Sequence, residues 1–452
     1  MRQKIVAMNK KLNRKIIVLD DDPTGAQTVQ NLFVLTDWCK EEILKAFKDE
    51  NFIFYILTNT RSYEAERTEE MIREIMKNIS EVATENDYSY TVINRGDSTL
   101  RGHYPLELDV IVEEQNLRMG VQIDAQLIIP AFFEGQRFTY GDVHYIKENE
   151  TLIPVSKTEF SNDKSFGYSN SNLCKWVEEK TNGIIGSSSC KSITVEQLRE
   201  GPESVLSILL DAKENEPIIV NALCYEDLDV LSYSLLEAEM KGKKFVYQVA
   251  ASFVRAYAGI EKKPYLIKEQ MIVKGNEQYG GLIIVGSHVQ KTTNQLNQLF
   301  KHSPVTAIEV NVKDLLEETL RSVEINRINK ELDVLIRAGK NAVIYTSRDL
   351  IVANDQTSNL QISQKVSGAL TEIVQALEIS PKFVIAKGGI TSSDIATKGL
   401  GIRVAEVIGQ AAPGVPVWLT GEEAKFTKIP YIIFPGNVGE DHTLLDIITM
   451  LS

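Results

Sequence analysis

Short apolar runs rich in β-branched residues alternate with longer amphipathic stretches along most of this 452-residue chain. Near-continuous apolar strands separated by helices of ten or more residues are typical of parallel sheets covered on both faces. The alternation therefore predicts an α/β fold with largely parallel sheets flanked by helices. The predicted strands are residues 15–19, 32–36, 52–57, 90–93, 126–130, 217–222, 281–288, 307–310, 342–345, 383–386, 415–418 and 431–434, and the predicted helices are 41–48, 65–86, 104–114, 228–241, 291–300, 317–338, 363–377 and 442–451.

The length and one change in composition predict two domains. A chain of 452 residues exceeds what a single hydrophobic core usually serves. Residues 254–281 are rich in Lys and Glu, contain Gly259 and Pro264, and lack a clear period, whereas the alternation resumes directly afterwards. We therefore expect one domain over residues 1–262 and a second over residues 263–452.

Residues 131–165 interrupt the alternation in the first domain. This stretch is rich in Gly, Phe and Tyr and is typical of an inserted β-hairpin, centred on residues 135–142. A hairpin that leaves the main sheet can close over a ligand or pair with a second copy of the chain. The sequence is therefore consistent with a lid or with a dimerisation arm, and a homodimer is one assembly that it allows.

The overall charge restricts the class of partner. A formal net charge of -13 argues against nucleic acid or an anionic membrane, because both need a basic surface. A small anionic substrate remains compatible with a locally basic pocket. The four cysteines are scattered and form no zinc or disulfide pattern. Residues 1–15 lack the apolar core of a signal peptide and no apolar run reaches about 20 residues, so we expect a cytoplasmic protein.

Polar residues cluster after three predicted strands of the first domain, at residues 20–25, 58–62 and 94–103. In parallel sheets, ligands bind beyond the carboxyl ends of the strands. The last cluster combines two arginines, a carboxylate, two hydroxyls and two glycines, which suits a clamp for a small anionic polyol. The structural alternative is a turn in which Asp97 or Ser98 caps a helix that begins near residue 101.

Three adjacent aspartates, residues 20–22, end the first of these strands. Adjacent carboxylates repel, so one of them needs a raised pKa or a counter-cation. Arg61, Arg95 and Arg101 are the candidate counter-cations. A carboxylate beside arginines can act as a general base toward a substrate hydroxyl, although for Asp20 a turn-capping role is favoured.

Glycine-rich turns follow apolar strands in the second domain, at residues 286–288, 387–394 and 435–441, and another, at residues 409–414, precedes a strand. Bare glycine amides together with hydroxyl side chains can bind phosphate groups. One such turn is usually structural, but their number in one domain favours a nucleotide site. The chain contains neither a GxxxxGK[ST] loop nor a GxGxxG fingerprint at the first strand of either half, so a P-loop or Rossmann enzyme is not expected.

Taken together, these motifs resemble the four-carbon acid sugar kinases, and the resemblance spans nearly the whole chain. The resemblance implies ATP-dependent phosphorylation of the terminal hydroxyl of an acid such as threonate, erythronate or 3-oxo-tetronate. It also implies an N-terminal domain that binds the acid sugar and a C-terminal domain that binds ATP. The matching motifs are Asp21-Asp22-Pro23-Thr24-Gly25-Ala26, Asn59-Thr60-Arg61-Ser62, Asp97-Ser98-Thr99-Leu100-Arg101-Gly102, Pro130-Ala131-Phe132, Lys387-Gly388-Gly389-Ile390-Thr391-Ser392 and Pro435-Gly436-Asn437-Val438-Gly439.

The resemblance further implies which residues contact the ligands. One departure concerns the two residues before Asp-Ser-Thr, which are commonly a lysine and an apolar residue in the family but are Arg95 and Gly96 here. Because arginine is larger and bidentate, the substrate identity is open, and a branched acid such as 3-oxo-isoapionate is a rival. The implied substrate ligands are Asp22, Arg61, Arg95, Gly96, Asp97 and Ser98, and the implied ATP ligands are Ser287, Gly388, Gly389, Ile390, Thr391 and Gly436.

These assignments give a hypothesis for the mechanism. Asp22 would accept the proton of the terminal hydroxyl, while Arg61, Arg95 and Arg101 would hold the substrate carboxylate, with Asp22 and Arg101 as the catalytic pair. Mg²⁺ would bridge the ATP phosphates, its protein ligands being left open, and the two domains would close over both ligands. A non-catalytic sugar-acid sensor and a lyase or isomerase acting on a phosphorylated sugar are the competing functions.

Overall fold

The computed structural model describes residues 1–273, 275–287, 289–348, 356–436 and 438–452, with the backbone alone at 356–361 and 363. His288 and Asn437, which belong to two of the predicted glycine turns, lie outside the described residues. The chain divides into two compact units, Met1–Lys262 and Lys263–Ser452, which are called unit 1 and unit 2 below.

Unit 1 is built on a parallel sheet. Its strands pair in the order β2-β3-β1-β4-β11-β5-β10-β9, and every described pair is parallel. The central strands are buried along most of their length, as expected where helices cover both faces. The strands of this sheet are β1 Arg14–Asp20, β2 Leu32–Leu35, β3 Ile53–Leu57, β4 Ser89–Arg95, β5 Ala125–Ile129, β9 Lys191–Ile193, β10 Glu216–Val220 and β11 Phe245–Val249.

The helices of unit 1 cover this sheet through apolar stripes. In α3, for example, Met71, Ile72, Ile75, Met76 and Ile79 are buried, which is the spacing of one helix face. The helices are α1 Arg2–Leu12, α2 Lys40–Lys48, α3 Ala65–Glu85, α4 Leu106–Met119, α5 Leu173–Lys180, α6 Val195–Glu200, α7 Pro202–Asp211, α8 Tyr225–Met240 and α9 Ala251–Tyr257.

A separate antiparallel sheet forms in the segment that was predicted as an inserted hairpin. It consists of β6 (Arg137–Tyr140), β7 (Val143–Glu148) and β8 (Thr151–Pro154), in that order. The prediction of an inserted hairpin is confirmed, and the structure adds β8 as a third strand. The sheet bonds to the rest of unit 1 through Thr139, whose backbone exchanges hydrogen bonds with Ala222 after β10.

Unit 2 repeats the α/β plan with an antiparallel edge. Its strands run in the order β13-β14-β12-β15-β18-β17-β16; the first five are parallel, and β17 is antiparallel to both of its neighbours. The strands are β12 Leu282–Val285, β13 Thr306–Val310, β14 Ala342–Thr346, β15 Val384–Lys387, β16 Val404–Ala412, β17 Val415–Thr420 and β18 Pro430–Phe434, and the helices are α10 Lys268–Met271, α11 Gln290–His302, α12 Val312–Leu316, α13 Glu318–Arg337, α14 Gln356–Ala376, α15 Gly389–Asp394 and α16 Thr443–Leu451.

The two units confirm the predicted fold class, and one predicted turn is corrected. Residues 409–414 were expected to form a glycine turn of the phosphate-binding kind, but Gly409 lies inside β16 and the chain turns into β17 at 413–414. A Cβ at Gly409 would lie 3.0 Å from Leu266, which explains a glycine within the strand. None of the described helices has the length and apolar character needed to cross a membrane.

Candidate functional site

Three neighbouring strand ends bring the predicted residues of unit 1 together. In the sheet, β1 lies between β3 and β4, and the last residue of β1, Asp20, is in register with Leu57 and Arg95. The chain leaves β3 through a short 3₁₀ turn, Thr60–Ser62, which carries Arg61. Residues that are far apart in sequence therefore meet at one edge of the sheet, as the strand pattern predicts.

The aspartates and arginines at this edge form a network of ion pairs. Arg95 Nη1 lies 3.1 Å from Asp20 Oδ1 and 3.4 Å from Asp21 Oδ1. Arg61 Nε lies 3.0 Å from Asp21 Oδ2, and Arg61 Nη2 lies 2.7 Å from Asp22 Oδ2. The repulsion between three adjacent carboxylates is thus offset by two guanidinium groups that bridge them.

Exposure separates Asp22 from its two neighbours. The side chain of Asp22 is 18% exposed, whereas those of Asp20 and Asp21 are almost completely buried. Burial raises the pKa of Asp20 to about 7 and raises the pKa of Asp21 well above its ordinary value. Burial also acts on Asp22, but Arg61 and the Thr24 hydrogen bonds outweigh it and lower its pKa. Asp22 is therefore the ionised carboxylate of the three that a ligand can reach.

Gly25 is required by the position of Asp20. A Cβ at Gly25 would lie 2.0 Å from both carboxylate oxygens of Asp20, and Asp20 is held by its ion pair with Arg95. Both carboxylates accept backbone hydrogen bonds in this turn, Asp20 Oδ1 from the Asp22 amide at 3.4 Å and Asp22 Oδ1 from the Thr24 amide at 2.8 Å. The glycine in this motif thus serves close packing.

The loop at residues 96–103 is held by Asp97. Its carboxylate accepts a hydrogen bond of 2.7 Å from Arg101 Nε and a further one from the Thr99 hydroxyl, and it lies 3.8 Å from Arg61 Nη1. Burial disfavours the charge on Asp97, but Arg101 and Arg61 outweigh it and hold its pKa far below the usual range. Asp97 therefore connects the Arg61 pairs to Arg101.

The capping alternative for this loop is wrong. The helix that follows, α4, begins at Leu106 after Pro105, and no side chain caps it. Asp97 and Ser98 lie several residues earlier, and the Asp97 carboxylate is committed to side chains of arginine and threonine. The polar composition of the loop is therefore not explained by helix capping.

Gly96 and Ser98 shape the same loop through their backbone. A Cβ at Gly96 would lie 2.6 Å from Nε2 of Gln248, so Gln248 fills the space that a side chain at position 96 would take. The carbonyl of Ser98 accepts a hydrogen bond of 2.8 Å from His144 Nε2. Beside the loop lies a pocket whose walls include Asp97, Arg101, Tyr104, Trp176 and Gln248.

Arg137, the first residue of β6, was not among the predicted site residues. Its guanidinium carbon lies 5.6 Å from the centre of the Phe132 ring and 5.9 Å from that of Phe160. Burial lowers its pKa, an effect that Asp97 opposes and Arg101 reinforces, so it belongs to the same electrostatic cluster. The sequence signal was an arginine within an aromatic- and glycine-rich insertion.

In unit 2, residues after three adjacent strands converge. Strands β12, β15 and β18 are neighbours in the sheet, and they are followed by Ser287, Gly388 and Gly436. A Cβ at Gly388 would lie 3.2 Å from Ser287 Cβ and 3.3 Å from Thr391 Oγ1, and one at Gly436 would lie 3.0 Å from Ser287 Oγ. Four predicted nucleotide ligands thus lie together, and a side chain at either glycine would crowd Ser287.

The remaining two predicted nucleotide ligands, Gly389 and Ile390, begin α15 directly after this cluster. Ile390 is 55% exposed, so its aliphatic side chain is open to solvent beside this cluster. An exposed aliphatic group next to a cluster of hydroxyls and glycines can contact the apolar part of a ligand.

Two cations beside this cluster were not predicted as ligands. Lys387 is fully buried, donates a hydrogen bond of 3.1 Å to the Pro435 carbonyl, and has a pKa lowered to about 7, chiefly by burial. Arg348 donates to the Ser287 carbonyl at 2.8 Å and to Thr293 Oγ1 at 2.6 Å, and burial lowers its pKa. Neither pairs with a carboxylate of any described residue, so an added anion would be favoured here.

A protein-bound metal does not fit the described residues. Among them, no group of three or more His, Cys, Asp or Glu is arranged to hold a metal ion. The aspartates of unit 1 are occupied by arginines instead. Mg²⁺ thus has no built protein site among the described residues.

An α/β chain with a carboxylate–arginine cluster in one unit and a glycine–hydroxyl–cation cluster in the other is organised to bind two different small molecules. Two protein-family models match the chain, one in each unit. The model of a sugar-binding N-terminal domain matches residues 16–257, and that of a nucleotide-binding C-terminal domain matches residues 282–444. The chain belongs to the four-carbon acid sugar kinase family, which confirms the resemblance seen in the motifs.

Solved structures support the fold. A Salmonella typhimurium LT2 protein, provisionally described as a tRNA synthase, is 16% identical, with a TM-score of 0.70 over 95% of this chain and 98% of its own. Haemophilus influenzae protein HI1011, from the family of unknown function DUF1537, is also 16% identical, with a TM-score of 0.65 over 96% and 100% of the two chains. At this identity the likeness shows the fold alone. The curated proteins contain no match to the chain.

Proposed function

We propose that this protein is an ATP-dependent kinase that phosphorylates the terminal hydroxyl of a four-carbon acid sugar, such as threonate, erythronate or 3-oxo-tetronate. In this proposal residues 1–262 bind the acid sugar and residues 263–452 bind the nucleotide. The observation that carries it is the convergence of Ser287, Gly388, Thr391 and Gly436 beside two cations that lack a carboxylate partner among the described residues.

The unit 2 cluster supports a nucleotide more than it supports a single phosphate of a sugar. The backbone amides of Gly388 and Gly436 are not screened by side chains of their own, which suits an anion, and the hydroxyls of Ser287 and Thr391 add donors. Arg348 supplies a positive charge and Lys387 supplies a second one when it takes up a proton beside an anion, which suits a polyphosphate. Ile390 offers an exposed apolar surface to the remainder of the nucleotide.

The unit 1 cluster supports a hydroxylated acid as acceptor. Asp22 is ionised and exposed enough to accept the proton of a substrate hydroxyl. The ion pair with Arg61 holds the Asp22 carboxylate in place. ATP would supply the phosphoryl group, and Mg²⁺ carried on ATP would supply neutralising charge. The hydroxyl oxygen gains the phosphoryl group, its proton passes to Asp22, and ADP leaves. Because this transfer has a loose transition state, a weakly basic aspartate is sufficient.

Arg61, Asp97 and Arg101 complete the proposed acceptor site. Asp97 bridges Arg61 and Arg101, so these three side chains are held in fixed relation to Asp22. The side chain of Arg101 is 24% exposed, and we propose that it contacts the substrate during phosphoryl transfer. Arg95 is 4% exposed and paired with Asp20 and Asp21, which suits positioning of the acidic cluster.

A coupled assay of ADP release tests the proposal. We expect ADP release with at least one acid among the enantiomers of threonate and erythronate, their 3-oxo forms and branched five-carbon oxo-acids such as 3-oxo-isoapionate. With that acid, Asp22→Asn should lower kcat by roughly 100-fold or more, because the variant lacks the proton acceptor. Binding of ATP should be unchanged in the variant.

The control is Asp211→Asn, which removes a carboxylate that is 87% exposed in the same unit and should leave kcat unchanged. Release of ADP with none of the acids, together with tight acid binding, would identify a sensor instead. A lyase or isomerase would show no stabilisation of the protein by ATP. A near-normal kcat in a folded Asp22→Asn protein would show that Asp22 is not the general base.

A further inference from the structure

Arg137 differs from every other arginine in the unit 1 cluster. Arg61, Arg95 and Arg101 each lie within 4.0 Å of at least one aspartate. No such ion pair and no side-chain hydrogen bond of Arg137 occurs among the described residues, and its buried Nε lacks a hydrogen-bond partner, as do the Nε atoms of Arg61 and Arg95. The cluster thus contains one guanidinium whose charge the surrounding protein leaves unmatched.

Leaving this cation unmatched opposes folding. Arg137 is only partly exposed, so its charge has limited contact with water and no counter-ion among the described residues, and such cations are candidates for a role in binding or catalysis. Burial indeed lowers the pKa of Arg137, the opposite direction from Arg61 and Arg95, whose aspartates raise theirs. A ligand anion is the group that would compensate Arg137.

Aromatic rings define the space around this guanidinium. Phe160 lies within 5.0 Å of the Arg101 guanidinium carbon and within 5.9 Å of that of Arg137, so both face the same ring. A Cβ at Gly135 would lie 2.1 Å from Arg137 Nη1 and 2.4 Å from the Phe132 ring. The absence of a side chain at Gly135 is therefore what allows Arg137 its position.

Hydrogen bonds fix the small sheet, and with it Arg137, against the loop at residues 96–103. His144 Nε2 must donate to the Ser98 carbonyl, so its Nδ1 accepts from Thr139 Oγ1 at 2.9 Å. The Tyr168 hydroxyl donates to the Thr99 carbonyl at 2.7 Å. Arg137 is thus held by a rigid element rather than by a free loop.

We infer that Arg137 is the main anchor for the carboxylate of the acid sugar, with Arg101 beside it, and that it selects acids over neutral polyols. This inference rests on the proposed function. The ion pairs run from Asp22 through Arg61 and Asp97 to Arg101, which leaves Asp22 at one end for the terminal hydroxyl. The carboxylate then lies at the other end, near Arg137 and Arg101.

The test compares Arg137→Met with the unaltered enzyme, using the best acid from the kinase screen and the polyol of the same carbon skeleton, threitol or erythritol. Arg137→Met should raise KM for the acid on the order of 100-fold, because a charge-assisted hydrogen-bonded pair is lost. The KM for ATP should stay unchanged, and the preference for acid over polyol should largely disappear. Arg137→Lys should restore part of the preference for the acid, since lysine keeps the positive charge but lacks the bidentate donor geometry of the guanidinium.

Thermal stability separates binding from a structural role. The unliganded Arg137→Met protein should melt at the same temperature as the unaltered protein or higher, while the shift in melting temperature caused by the acid should be lost. Arg118→Met, which removes an arginine paired with Glu114 on α4, is the matched control and should leave KM unchanged. An unchanged KM for the acid in Arg137→Met overturns this inference alone. Failure of the unaltered protein to bind any acid overturns the proposed function and this inference with it.

Discussion

Single basic residues in both units form no ion pair with a carboxylate of any described residue. Arg137 in unit 1 and Lys387 and Arg348 in unit 2 all have a pKa lowered by burial. The unpaired charge of the two arginines opposes folding of the unliganded protein, and all three groups favour a bound anion. The motif residues were predictable because they follow strands within short segments. The unmatched cations were not, because the sequence does not say which arginines are paired.

Lys387 gives a prediction about protons. Its pKa of about 7 in the folded protein is below the ordinary lysine value, so at pH 8 it is mainly neutral. Nearby phosphate raises a lysine pKa, so binding of ATP should take up a proton. We expect uptake approaching one proton at pH 8, and an ATP affinity that falls as pH rises above 7. Calorimetric titration in Tris and in HEPES, which differ in ionisation enthalpy, measures the uptake.

In the variant Lys387→Met this proton uptake should vanish and ATP should bind more weakly. Lys313→Met, which changes an exposed lysine on α12, serves as the control. Equal uptake in the unaltered protein and in Lys387→Met would show that Lys387 does not respond to the nucleotide.

At the scale of elements, most strands of the two parallel sheets were predicted, but several short elements were missed, and so were the buried strand β11 and the eleven-residue helix α1. Every predicted strand has a counterpart within one or two residues at most ends, because buried parallel strands are continuously apolar. The three-residue strand β9 is too short for a pattern, and β16 was missed because Gly409 within it suggested a turn. The third strand, β8, completes a sheet whose role depends on contacts between segments that the sequence does not reveal.

His144 gives a prediction for the docking of the small sheet. It is buried, and burial lowers its pKa to about 4, so it stays neutral in the folded protein down to about pH 5. The unfolded chain takes up a proton on this histidine below about pH 6.5, so its contribution to stability is complete above pH 6.5 and declines as pH falls toward 4. Protonation of this histidine in the unfolded chain should lower the free energy of unfolding by about 2 kcal/mol as the pH falls from 7 to 5.

Urea denaturation of the unaltered protein and His144→Asn at both pH values isolates this contribution. The variant cannot titrate, so its loss of stability over the same range should be smaller by about 2 kcal/mol. The variant should also be less stable at pH 7, since the Ser98 carbonyl loses its partner. Equal pH dependence in the two proteins would contradict the role given to His144. The exposed His302 provides the control, as His302→Asn.

At the scale of the whole molecule, each unit contains its own sheet and its own cluster. Amide hydrogen exchange can therefore assign the ligands separately. An acid sugar should slow exchange at residues 94–103 and 137–146, because the proposed carboxylate and hydroxyl contacts lie there. A non-hydrolysable ATP analogue should instead slow exchange at residues 281–287 and 384–394.

Peptides from α13, residues 318–337, should exchange equally in all states and serve as the internal reference. Protection of residues 384–394 by the acid sugar alone would reverse the proposed assignment of the two domains. Protection of neither region by either ligand, at saturating concentration, would count against both sites.

The small sheet has a consequence for how this family can diversify. Arg137, which is proposed to bind the substrate carboxylate, belongs to a short contiguous segment outside the parallel sheet. Asp22 and Arg61 instead follow strands of that sheet. Changes in that segment can alter which molecules are accepted without disturbing the strands that support the reaction. Mutations in this segment could therefore change the substrate specificity and preserve phosphoryl transfer. Exchange of the segment between relatives would be a way to engineer the same change.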